Sequence, residues 1–187
     1  MITGARGWEH EQWQGTYYPP QIAQDWHLKF YAKDFQTTLA PVSFWSNCSI
    51  EEIEEFCSDV GKDYPLVFEQ NENETDKNIL TLQQTINELT PINWIMFKKD
   101  GWQKSEDKYQ IKQAEIIHNN NFEENALVFC VHADKQLRDT TLREIMKFLK
   151  TEFKQFNVIY CYFDGELVAI DMLNTVQTLR RMLNLNY

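Results

Sequence analysis

Two segments of this chain, VFCV within ALVFCVH (126–132) and VIYCYF (158–163), are apolar at every position rather than at every second one. A strand with one wet face alternates apolar and polar side chains. A strand without that alternation has to be covered on both faces, as in a parallel sheet with helices packed against it. Further strand-like runs at ITGA (2–5), TTLAPVSFW (37–45), PLVFEQ (65–70), INWIMF (92–97) and AEIIH (114–118) bring the expected strands to about seven. Helical spacing lies between them over 20–35, 48–61, 78–89, 137–153 and 170–183. In the second of these, Ser49 is placed to cap a helix that ends at Gly61. Pro41 forbids a continuous central ladder through 37–45, and KKDGWQKSEDKYQIK (98–112) reads as a polar loop. The alternation predicts an α/β fold, and both an open doubly wound sheet and a barrel satisfy it.

At 187 residues, with no repeat and no low-complexity linker, the chain reads as a single domain over 1–187. Its formal net charge of −10 repels phosphate backbones, so general nucleic-acid binding is not expected. Cys48, Cys57, Cys130 and Cys161 have no CxxC or Cys/His ligand spacing, and the last two sit inside apolar runs. That pattern fits buried, reduced thiols in the cytoplasm. The start, MITGARGWEHEQ, lacks the basic and apolar regions of a secretion signal, and no apolar run approaches the roughly 18 residues of a membrane span. A soluble protein without a membrane partner is the expectation.

The stretch GWEHEQWQGTYYPP (7–20) packs two Trp and two Tyr among Gly and Pro residues that exclude a regular helix or strand. Its spacing, followed by Trp26, Tyr31, Ala32 and Phe35, resembles the start of the YecE-like family, domain of unknown function seventy-two. Gly4, Gly7, Trp8, Trp13, Gly15, Tyr18 and Pro19 match that family's opening, and Tyr17 stands where Phe is usual. The strand VIYCYFDG and its following helix resemble the family's closing segment. PLVFEQ, IMFKKDGW with Phe97 and Trp102, and VFCVHA with His132 resemble segments between. The resemblance implies a TIM-type β/α barrel. A complete barrel of that type takes about 250 residues, and one family β–α unit has no counterpart between Trp45 and Leu66. The chain is therefore expected to be a shortened, divergent barrel of about seven strands.

Several polar positions of the family pattern are changed. Leu39 and Pro41 stand where Glu and Asn are usual, Met96 where Glu, Cys130 where Arg, and Lys98 and Lys99 where Arg and His. Asp164 and Gly165 replace paired Asn, and Arg6 replaces Ser. A site that works through charge and hydrogen bonds does not survive losing several such groups together.

In a barrel of this kind, function sits at the C-terminal ends of the strands. Arg6, Trp8, Glu69, Gln70, Lys98, His118, His132 and Asp164 fall near that rim, and Trp102 follows on the loop beyond. His132 is the candidate acid/base; as a strand-end residue it is equally a hydrogen-bonded structural histidine. Arg6, Trp8, Glu69, Lys98, Trp102 and Asp164 are the candidate ligand-binding residues. Glu69 and Asp164 could titrate apart as an acid/base pair, or serve as solvated loop acids. His118, His132 and Glu69 have no compact ligand spacing, so no metal site is expected. The cofactor is left unknown by the sequence, which has no phosphate-cradling Gly-rich loop and no nucleophile motif. Two functions remain from the sequence. One is a barrel that has lost the family-type site and keeps a ligand-binding or interaction role, including self-association across a trimmed edge. The other is an enzyme acting on a small anionic substrate, with His132 as acid/base and Arg6 or Lys98 holding the anion.

Overall fold

The computed structural model describes residues 1–61, 64–70, 84, 93–97, 102–104, 109–118, 125–165 and 168–185. Eight strands form one sheet: β1 (Ile2–Ala5), β2 (Thr38–Ala40), β3 (Leu66–Glu69), β4 (Asn93–Phe97), β5 (Trp102–Lys104), β6 (Tyr109–His118), β7 (Ala126–Ala133) and β8 (Val158–Asp164). Seven of them lie in the order β1-β8-β7-β6-β4-β3-β2, and β5 pairs with β6 to one side. Among the described residues five α-helices accompany them: α1 (His27–Asp34), α2 (Val42–Trp45), α3 (Ile50–Val60), α4 (Asp139–Glu152) and α5 (Ile170–Met182). The α/β class expected from the sequence is the observed one, and among the described residues no helix is long and apolar enough to cross a membrane.

The sheet is parallel in most of its pairings, between β1 and β8, β8 and β7, β4 and β3, and β3 and β2. β6 is the exception and runs antiparallel to β4, β5 and β7. Chain length explains this. A parallel return needs a crossover of about a dozen residues or more, whereas only residues 119–125 separate β6 from β7. The expected polar loop at 98–112 is thus corrected: it holds β5 and the start of β6. The expected strand at 37–45 is corrected too. It stops at Ala40, and Pro41, extended at ψ 154°, becomes the cap of the short helix α2. The expected helix over 20–35 begins only at His27, after a 3₁₀ turn at Gln24–Trp26, and Trp26 is 55% exposed rather than on the buried face. α3 forms as the sequence predicts, with Ser49 and Glu52 bonded reciprocally across its first turn and Gly61 ending it at φ +79°. The helix expected at 78–89 lies outside the described residues.

The fully apolar strands do carry a period of two, divided between two cores. Val128 and Cys130 of β7, with Val158, Tyr160 and Tyr162 of β8, face one way, where they meet Leu39, Val67, Ile95 and Ala114. Leu127, Phe129, Val131, Ile159, Cys161 and Phe163 face the other way, into the layer covered by the helices. Both faces are dry, which is why neither strand alternates in polarity.

The two strands at the ends of the sheet order, β1 and β2, lie side by side at a parallel bridge between Arg6 and Leu39. The Gly7 amide donates to the Leu39 carbonyl at 2.7 Å, and the Thr38 hydroxyl donates to the Ala5 carbonyl at 3.1 Å. The Ala5 amide donates to the Tyr31 hydroxyl at 2.8 Å, which in turn donates to the Thr37 carbonyl at 3.3 Å. Gly4 lies so close to β2 that a Cβ there would overlap the Thr37 carbonyl. Gly4→Ala is therefore expected to destabilise the protein by roughly 1–3 kcal/mol, the usual cost of overpacking against rigid backbone, read as a lower midpoint in urea unfolding. An unchanged midpoint would mean that β1 and β2 can separate freely.

Candidate functional site

Alternation along the strands builds the site. In the register of β7 and β8, Val128 lies beside Tyr160, Cys130 beside Tyr162, and His132 beside Asp164. The inner apolar layer is thus followed, two residues further on, by a pair of titratable groups at the C-terminal strand ends. The same step of two carries β3 from Val67 to Glu69, and takes β1 from Gly4 to Arg6 just beyond its end. Arg6, Glu69, His132 and Asp164 consequently form one polar layer on top of the inner core.

Their contacts are specific. Arg6 meets Glu69 Oε2 through Nη2 at 2.6 Å and Nε at 3.1 Å, a forked pair on one carboxylate oxygen. Its Nη1 reaches Asp164 Oδ1 at 3.5 Å. Burial works against the guanidinium charge, but Glu69 and then Asp164 outweigh it and hold the pKa above the ordinary arginine value. The other oxygen of Asp164 accepts from His132 Nδ1 at 3.0 Å, and Asp134 lies 3.4 Å from Nε2. Both ring nitrogens therefore face acceptors, and the side chain of His132 remains 43% exposed. In this layer one guanidinium stands against three carboxylates, so the local balance is negative whenever His132 is neutral.

Of the remaining sequence candidates, Trp8 is 1% exposed and stands edge-on to Phe44 and Phe56, with centroids at 4.5 and 5.8 Å. It lines the helix layer. Trp13 and Tyr18 are buried as well. The Trp13 indole donates to the Val168 carbonyl at 2.7 Å, and the Tyr18 hydroxyl donates to the Trp8 carbonyl at 2.8 Å. Lys98 and Lys99 lie outside the described residues, as do the side chains of Met96, Trp102 and His118. Leu39 and Cys130, which stand where the family pattern has Glu and Arg, are buried in the inner apolar cluster. Burial pushes the Cys130 thiol well above its ordinary pKa, and Asp164 adds to the effect, so it is a neutral thiol and not a nucleophile. Among the described residues no group of His, Cys, Asp and Glu is arranged to hold a metal ion.

Two residues of the site escaped the sequence reading. Asp134 was legible: it follows His132 by two positions, immediately after the end of β7. His10 was not, because its place depends on the turn after β1, where Gly7 adopts φ +84°. The ring of His10 packs on Trp13 with centroids at 4.3 Å, and its Nε2 is buried without a hydrogen-bond partner. Burial lowers the His10 pKa, against opposing effects of Asp164 and the carbonyls of Gly7 and Arg6.

The sign of the pH effect follows. An unfolded chain takes up a proton on His10 as pH falls through about 6.5, while the folded chain resists it, so folding weakens in that window. Comparison of the parent with His10→Phe by urea unfolding between neutral pH and pH 5.5 should show the parent losing ground as the pH drops. A constant gap between the two proteins would mean that His10 titrates alike in both states.

A family model described as Protein of unknown function DUF72 matches residues 2–93. Among solved structures, a DUF72 family protein from Thermotoga maritima matches with a TM-score of 0.58 at 9% sequence identity, over 98% of each chain. Identity that low speaks to the fold alone. Comparison with curated proteins finds no match. The matched residues carry the aromatic turn, α1 and the β1–β2 contact, and through them the chain is similar to the DUF72 family, whose function is unknown.

Proposed function

We propose that this protein is a trimmed β/α barrel of the TIM type whose rim binds a small ligand and has lost the polar groups of the family-type site. Three features support the barrel: the bridge between the end strands β1 and β2, the seven-strand path, and an inner apolar cluster supplied by six strands. The observation that carries the functional reading is the pairing of Arg6. Glu69 and Asp164 hold three of its five N–H donors and outnumber its charge, so an anion approaching it bears the repulsion of two carboxylates that are part of the fold. A ligand offering positive charge or hydrogen-bond donors meets Glu69, Asp164 and Asp134 without that cost. Free cysteines at all four positions support a reducing compartment, and we read the protein as cytoplasmic.

One observation favours the second reading, an enzyme acting on a small anionic substrate. Asp164 holds His132 by Nδ1 while the ring stays partly exposed, the arrangement that orients a general base.

The readings separate in thermal-shift titrations with putrescine and with inorganic phosphate. The binding role predicts a saturable rise in Tm with putrescine that is reduced several-fold in affinity by Glu69→Gln, and no rise with phosphate. Stabilisation by phosphate that Arg6→Gln abolishes would overturn it in favour of the anionic-substrate enzyme. Self-association is settled separately by solution mass, where we expect concentration-independent values unless a second chain covers part of the sheet.

A further inference from the structure

A cavity of about 240 Å³ opens at the opposite end of the sheet from the rim, beside the first residues of β1 and β8. Its apolar surface comes from Phe153, Phe156, Ile159 and Leu185, and the lysines Lys150 and Lys154 stand at it. We propose that this cavity binds a small organic monocarboxylate with an apolar body, a site separate from the rim and independent of the reading given there.

Three observations carry the assignment. The chain has 28 acidic residues and a net charge of −10, yet among the described residues no Asp or Glu lines this cavity, while Lys150, Lys154 and Met1, whose N-terminal ammonium donates to the Leu185 carbonyl at 2.8 Å, do. A cavity of that sign in a chain of the other sign attracts an anion that the remaining surface repels. Second, Lys150 is held in place: its Nζ donates to the Leu183 carbonyl at 2.9 Å, spanning from α4 to the turn after α5. An ammonium has three donors, so two remain, positioned at the wall by the first. Third, the part of the wall formed by Asn184 and Leu185 is built by a fixed turn. Asn184 adopts φ +51°, and Leu185 folds back so that its amide donates to the Arg180 carbonyl at 2.9 Å. The cavity thus joins an apolar floor to oriented cationic donors, and a carboxylate with a short alkyl chain or ring satisfies both parts. A free inorganic anion would leave the phenyl rings wet, and a neutral lipid would leave the ammonium groups without a counter-charge.

The bland alternative is that these lysines only complement the C-terminal end of α4, where cations are favoured in any helix. Sodium octanoate and 1-octanol distinguish the two. Titrated into the full-length ¹⁵N-labelled protein at constant ionic strength, octanoate is expected to give saturable amide shifts confined to residues 150–159 and 183–185. Octanol should bind roughly tenfold more weakly, and Lys154→Gln, an exposed position whose change spares the fold, should weaken octanoate roughly two- to fivefold. Phe156→Ala should weaken both ligands. Equal binding of octanol and octanoate, octanoate affinity unchanged by Lys154→Gln, or the absence of saturable shifts at these residues would each overturn the proposal.

Discussion

The position of every group at the rim depends on the contact between β1 and β2. A regular ladder does not hold these strands together. Beyond the one direct bond, from the Gly7 amide to the Leu39 carbonyl, side-chain hydroxyls join their backbones: Tyr31 links the Ala5 amide to the Thr37 carbonyl, and Thr38 reaches the Ala5 carbonyl. Buried backbone groups need partners, and hydroxyls can donate and accept across a gap that a direct ladder would not span. Tyr31 can do this because α1 places it there and Trp13 stacks over it, with centroids at 5.8 Å and planes within 5°. The aromatic turn is therefore structural in a definite sense. It fixes the residue that seals β1 to β2, and through β1 it fixes Arg6.

From that contact the rim follows by strand periodicity. Three apolar steps along β8 end in Asp164, and the equivalent steps along β7 end in His132. The change from apolar to charged occurs at the level where the inner core meets solvent. Glu69 and Asp164 face the core's last layer, so each needs a cation or donors close at hand. Arg6 supplies the first, and His132 completes Asp164. The layer is a closed set of mutual obligations, and substitution of one member leaves charge on the others. This is why Arg6, a ligand-binding residue by its type, has structural partners at Nε, Nη1 and Nη2.

Much of this could be read in the sequence, and the failures have physical causes. The inner and outer runs of β7 and β8, the Ser49 cap and the family's aromatic turn were legible because each is local. The antiparallel course of β6 was legible in principle, since the spacer before β7 is too short for a crossover, but polar composition made residues 98–112 look like a loop. A strand such as β6, whose Lys112 is exposed between buried Ile111 and Ala114, does not announce itself by hydrophobicity. Residues 42–45 misread as strand because VSFW has strand-forming composition, while Pro41 ahead of it has the geometry of a helix cap. The rim contacts were legible as a set of residues and not as pairs: nothing local tells Arg6 that its partner will be Glu69, 63 positions away.

The helices add a polarity that connects the two ends of the sheet. In a β–α–β crossover between parallel strands, the helix begins near the C-terminal strand ends and finishes near the N-terminal ones. α3, α4 and α5 carry acidic residues in their first turns, at Glu51 and Glu52, Asp139, and Asp171. α4 and α5 carry Lys150, Arg180 and Arg181 in their last. Each placement is favourable to the helix dipole on its own. The segregation is partial, since Asp34 closes α1, Glu152 closes α4 and Arg138 stands at the start of α4, so the cations at the base are a local feature of the last turns of α4 and α5. Helix capping explains why the cations are at the base; the cavity beneath Lys150 and Lys154 is what would turn that placement into recognition.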